Sequence, residues 1–167
     1  MTIDSILSKK QEHAFLLYLK LWRKEIPVAC RNVIIAEALN HCVYYENMMI
    51  KGYWLRDKKL YLIIHTEAQN VEELLEVFAK QVLRGIHQYN QQKEKYTGMV
   101  KKANVGNELF LKFPLNDVVL QKLLTGKKIA QVYTQYVVKI TNQMNQSNYC
   151  SVVDYSGALG PVKVTID

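Results

Sequence analysis

Cysteine is scarce in this 167-residue chain, and Cys30, Cys42 and Cys150 form no C-x-x-C or other ligand spacing. Three is also an odd number, so neither a disulfide framework nor a structural zinc is implied, and a reducing compartment fits this usage best. Long apolar runs are missing too. The opening MTIDSILSKK has no signal-peptide stretch, and no run approaches the roughly 18 apolar residues that span a bilayer. A cytoplasmic protein with no membrane partner is expected. Absent as well are the G-x-S-x-G elbow and the glycine loops G-x-x-x-x-G-K-[ST] and G-x-G-x-x-G. The familiar signatures of serine hydrolysis and nucleotide binding therefore have no carrier here.

What is present is the composition of an ordinary globular protein: 49% hydrophobic and 22% charged residues leave enough apolar surface to bury one core. The length suits a single domain spanning 1–167 that folds alone or as a homodimer. A formal charge of +7 favours polyanionic partners, since lysine and arginine gain from releasing counterions condensed on nucleic acid. A solvated basic surface explains the charge equally well.

Along the chain, His13 to Trp22 (HAFLLYLKLW) is a run of large apolar residues read as a buried strand, with helix as the alternative. After the break at Pro27, Ile34, Ile35, Ala38, Leu39, Cys42 and Tyr45 recur at helical spacing. MMIKGYWLRDKKLYLIIHT holds two β-rich runs separated by the polar tetrad Arg56–Lys59, the pattern of a hairpin. Asn70 with Glu73 makes a capping-box pattern, and Val71, Leu74, Leu75, Phe78, Val82, Leu83, Ile86 and Tyr89 form the apolar stripe of a second helix. Gln91 to Asn107 is polar, contains Gly98 and Gly106, and is expected to be a loop. NELFLKFP then predicts a strand, LNDVVLQKLLTG a short helix closed by Gly126, KKIAQVYTQYVVKITNQMNQ a last helix, and VKVTI a final strand. The order βαββαβ predicts an α+β, ferredoxin-like antiparallel sheet with two main helices on one face plus C-terminal helices. The core spans about 13–114 and the helical extension about 115–167. Many unrelated functions share this plan.

The segment GYWLRDKKLYLIIHT, preceded by a long helix and followed by NVEELLEVFAKQVLRGIHQYN, resembles the core of the small single-strand tyrosine transposases of the insertion-sequence and REP-associated type. In that family a strand with an aromatic and aliphatic end leads through a turn into a His-hydrophobic-His strand, and a Leu-rich helix with an Asn near its end follows. Tyr53, Trp54 and Leu55 match the first strand; Leu60, Leu62, Ile63 and Ile64 match the second; Asn90 falls at the helix-ending Asn. The match is gapless from Tyr53 to Ile64 and looser from His13 to Asn90, about half the chain. Lys59 and Tyr61 stand where the two histidines should be. An ammonium has no lone pair to give a metal, and a phenol must first lose a proton with a pKa near 10. The resemblance therefore implies a degenerate site with no metal and no cofactor, and a protein that binds single-stranded or hairpin DNA rather than cutting it.

The family's nucleophile is a tyrosine on a downstream helix, a place held here by Tyr133 and Tyr136, of which Tyr136 is the candidate catalytic residue. Candidate DNA contacts are Arg56, Lys58 and Lys59 at the hairpin tip, with Tyr53, Trp54 and Tyr61 offering aromatic faces to unpaired bases. Arg31, Lys80 and Arg84 extend this set, along with Lys9, Lys10, Lys101 and Lys102. The alternative for the tip is a solvated turn. His13, His65 and Glu67 could form a displaced metal site if their strands were adjacent, whereas His41, Cys42 and His87 show no dyad spacing. Two other functions stay open: an active tyrosine transposase or nuclease with displaced ligands, and a protein-interaction domain that meets no DNA.

Overall fold

The structure, a computed structural model, describes residues 9–20, 26–97, 109–129 and 134–166. Its elements follow the order β1 (Lys10–Leu19), α1 (Val28–Tyr45), β2 (Met49–Arg56), β3 (Lys59–Glu67), α2 (Val71–Thr97) and β4 (Phe110–Pro114). Three short helices complete it: α3 (Val118–Leu124), α4 (Gln135–Asn145) and α5 (Val152–Tyr155). The four strands make one antiparallel sheet in the order β2-β3-β1-β4. Each βαβ crossover thus straddles an intervening strand, the split-βαβ arrangement of an α+β protein. Among the described residues no helix is long and apolar enough to cross a membrane.

Strand side chains alternate between faces, and here each face has its own core. Phe15, Leu17, Leu19, Ile50, Tyr53, Leu55, Leu60, Leu62 and Ile64 pack with α1 and α2, through Ile35, Leu39, Phe78 and Val82. The opposite face sends Trp54 and Ile63 into a second core with Leu120 and Leu124 of α3, Ile140 and Met144 of α4, and Cys150. The C-terminal elements therefore cover part of the sheet's second face, over Trp54 and Ile63, and leave the Tyr18 and Phe113 end partly exposed. Sheets buried on both faces read as unbroken apolar runs, which is why HAFLLYLKLW and KLYLIIHT show no clean alternation.

The edge of β2 is closed by the same C-terminal chain. Leu55 N–H donates to Tyr149 O (2.8 Å), Ser151 N–H to Tyr53 O (2.8 Å) and Thr165 N–H to Ile50 O (2.8 Å). Satisfying an edge in this way removes a template for strand addition. Gly52 follows the bulge between Ile50 and Gly52, and a Cβ there would stand 2.6 Å from the Leu124 carbonyl oxygen. Only glycine lets α3 approach β2 so closely.

Several expectations are corrected. The strand placed at His13–Trp22 runs Lys10–Leu19, and Trp22 lies outside the described residues. The loop expected from Gln91 is corrected over its first part, where α2 continues to Thr97; Gln, Lys and Glu are good helix formers. The remainder of that stretch, with Lys101 and Lys102, is outside the described residues. Asn70 closes a 3₁₀ turn, Ala68–Asn70, directly before α2. The last long helix is confined to Gln135–Asn145, with Thr134 accepting from Val137 N–H as its cap, and Tyr133 lies outside the described residues. The tail VKVTI forms no strand; Val162 and Val164 instead insert into the first core. The α3 reading holds, and Gly126 at φ 69° ends it.

Candidate nucleic-acid interface

The β2–β3 turn is tight, with Asp57 at φ 51°, and Leu19 N–H donates to Lys58 O at 2.8 Å. This bond ties the hairpin tip to the end of β1. Lys58 and Lys59 are exposed. Arg56 lays its guanidinium carbon 5.1 Å from the centre of the Trp54 ring, a cation–π contact that holds the charge at the sheet surface.

Three proposed DNA contacts are corrected by burial. Tyr53 is 0% exposed and faces α1 and α2, while its neighbour Trp54 is 1% exposed and faces α3 and α4. Neither offers a free ring to a base. Burial, then the nearby Asp154, pushes the Tyr53 hydroxyl well above its ordinary range. Arg31 is 5% exposed on α1, where burial lowers its pKa and Asp57 opposes the shift. It is a core-flanking cation, not a phosphate contact. Lys80 and Arg84 are exposed on α2, but α2 covers the other face of the sheet from Tyr61, and Lys80 sits 3.4 Å from Glu76. The basic set therefore divides between two sides of the molecule.

What the second face does bring together is legible from the register. Directly paired residues point to the same side. One row across β2-β3-β1-β4 is Trp54, Tyr61, Leu16 and Phe113; the next is Arg56, Lys59, Tyr18 and Leu111. The Tyr61 ring stacks on Trp54 with centroids 5.5 Å apart. Tyr61, Leu16, Tyr18 and Leu111 are half-buried, Lys59 is exposed, and Phe113 is 46% exposed. Tyr136 borders the same region from α4: it is 46% exposed, and its hydroxyl, which donates to Asp117, feels the Tyr61 hydroxyl electrostatically. Burial first, then the Asp117 carboxylate, pushes this phenol up to about 12. It is held protonated, the opposite of what activates a nucleophile.

The displaced metal site does not assemble. His65 pairs with Glu12 and His13 with Ile64, so the two histidines project from opposite faces of the sheet; His13 Nε2 lies 3.2 Å from Thr66 O. Among the described residues no three His, Cys, Asp or Glu side chains converge as ligands. The His41 ring lies tilted against Tyr45 with centroids 4.8 Å apart, while Cys42 is fully buried with its thiol pushed up to about 12 by burial and Glu46. They form no dyad.

Sequence reasoning missed Tyr18, Leu16, Phe113 and Asp117. The first two lie inside an unbroken apolar run with no periodicity to say which face they take. Phe113 and Leu111 are assigned only by the β1–β4 register. Asp117 carried a detectable signal, an Asp directly before the helical run VVLQKLL. Comparison of the chain with protein-family models, with curated proteins and with solved structures returns no match.

Proposed function

We propose that this protein is a transposase-like DNA-binding protein that holds single-stranded or hairpin DNA on the Lys59–Tyr61 face of its sheet, without metal-dependent cleavage. The observation that carries this reading is the shared face: Arg56, Lys59, Tyr61 and Tyr18 stand in adjacent rows, with Tyr136 of α4 near Tyr61. Cations in that setting suit phosphates, and partly exposed rings suit bases. The net charge of +7 supports a polyanionic partner. At the two positions where the resembling transposases carry histidine, an ammonium and a phenol supply no ready lone pair. A divalent ion there would also face Arg56 across the strand pair.

The test is a gel shift with hairpin and single-stranded oligonucleotides over a range of salt. Binding is expected to weaken steeply with salt, and Lys58→Ala with Lys59→Ala is expected to lower the slope by roughly 0.7 for each lost single-strand phosphate contact. No shift at low salt, or a slope indifferent to both substitutions, counts against this face. A second reading, cleavage by Tyr136, draws on its presence beside Tyr61. A covalent protein–DNA adduct that forms with manganese or magnesium and disappears in Tyr136→Phe would favour it over silent binding.

A further inference from the structure

We infer that the part of the second sheet face that the α3–α4 core leaves partly exposed is a stacking platform for unpaired bases, built on Tyr18, Tyr61 and Phe113, with Arg56 and Lys59 serving the phosphates beside them. The inference rests on the DNA-binding reading above and deepens it by choosing the unpaired strand over the duplex.

Three observations support it. First, the central strands β1 and β3 each contribute one ring to this face, Tyr18 and Tyr61, and the edge strand β4 contributes Phe113. Leu16 fills the gap between Tyr61 and Phe113 in one row, and Leu111 flanks Tyr18 in the next. Phe113 is 46% exposed and the other four are half-buried, so these two rows present apolar side chains to solvent in part. Second, the cations lie at one side. Arg56 and Lys59 occupy β2 and β3 in the same row as Tyr18, so a backbone running over them delivers its bases toward β1 and β4. Third, the spacing disfavours a duplex. Successive side chains on one face of a strand are about 6.7 Å apart, nearly twice the roughly 3.4 Å rise of stacked bases along a duplex strand. Bases on neighbouring rows must therefore be splayed, which an unpaired strand allows and paired DNA resists. Stacking of this kind tolerates any sequence because every base has a π-face.

The other aromatics do not compete for the role. Trp54 is 1% exposed in the core under α3 and α4, and its ring stacks on Tyr61 from the neighbouring strand. Tyr136 is tied to Asp117 and forms the border of the platform.

The experiment is an anisotropy titration of the full chain with a labelled thymidine oligomer, an abasic oligomer of equal length and a blunt duplex. The expected order is thymidine strand tightest, with the abasic strand weaker by about tenfold or more, in keeping with base–aromatic stacking. Tyr18→Leu and Phe113→Leu keep the apolar bulk but remove the ring. Each is expected to weaken the thymidine strand by about tenfold while leaving its salt slope unchanged. Tyr18→Phe keeps the ring and is expected to keep the affinity. An abasic strand bound as tightly as the thymidine strand overturns the platform and leaves the DNA reading standing. So does a duplex bound more tightly than either. Failure to bind any of the three overturns both readings, and a uridine ribo-oligomer bound more tightly than the thymidine strand overturns the assignment to DNA.

Discussion

Tyr136 donates its hydroxyl hydrogen bond to the same Asp117 carboxylate whose other oxygen accepts from Val119 and Leu120 N–H at the start of α3. One side chain thus caps α3 and fastens α4. Asp117→Ala is expected to destabilise the fold by about 1–2 kcal/mol, since it removes the cap and the anchor together. Asp117→Asn keeps an oxygen for the cap and is expected to cost much less. Tyr136→Phe removes an exposed hydrogen bond alone and should change the urea midpoint least of the three. Equal losses in Asp117→Ala and Tyr136→Phe would show that the cap contributes nothing.

Alkaline pH offers a second measurement. Cys42 and Cys150 are fully buried, and burial pushes each thiol from 9.0 up to about 12. A pKa raised in the folded state means the folded chain holds its proton more tightly than the unfolded chain. The contribution is complete below pH 9 and is lost as pH climbs toward 12. Unfolding free energy is expected to fall across that window, on the order of 1 kcal/mol per pH unit for each thiol. Cys42→Ala with Cys150→Ala should flatten the decline. A stability profile level from pH 9 to 12 in the parent would contradict the burial of these thiols.

Element positions were legible in the sequence wherever one local signal sufficed: the helical period of Ile34 to Tyr45, the polar tetrad of the hairpin, and Gly126 as a stop. Faces were not. Which way Tyr18 or Tyr53 points depends on register, on the bulge before Gly52, and on a C-terminal chain that covers part of the second face. These are contacts between residues far apart in sequence, and an apolar run buried on both sides gives no period from which to infer them. The aromatic contacts expected at Tyr53 and Trp54 failed for this reason, since adjacent strand residues can both be buried when two layers of helix are present.

Ser151 is the joint of that cover. It is fully buried, its Oγ accepts from Tyr53 N–H at 3.0 Å, and it donates to Leu124 O at 2.6 Å. Ser151→Ala leaves both backbone groups without that partner, at a cost of about 1–3 kcal/mol for each. Gly52→Ala drives a methyl toward the same Leu124 carbonyl, an overpacking expected to cost about 1–3 kcal/mol. Because both act on one α3–β2 junction, the double variant should lose less than the two single losses added together. Strict additivity in a denaturation cycle would place the two effects at independent sites.

Metal response tests the reading of Lys59 and Tyr61 directly. These residues lie two apart on β3 and project from the same face, so Lys59→His with Tyr61→His would set two imidazoles on that face about 6.7 Å apart along the strand. Neutral imidazole supplies the lone pair that the present side chains lack. The double variant is therefore expected to gain a Tm increase on addition of zinc or nickel at pH 7.5 that vanishes with chelator, and that grows with metal concentration as linkage requires. The parent chain is expected to show no such increase from this strand. A metal-dependent rise in the parent that disappears in Lys59→Ala with Tyr61→Phe would mean that these residues, or groups they position, hold an ion after all. The silent-binding reading would then give way to one in which the face carries metal chemistry.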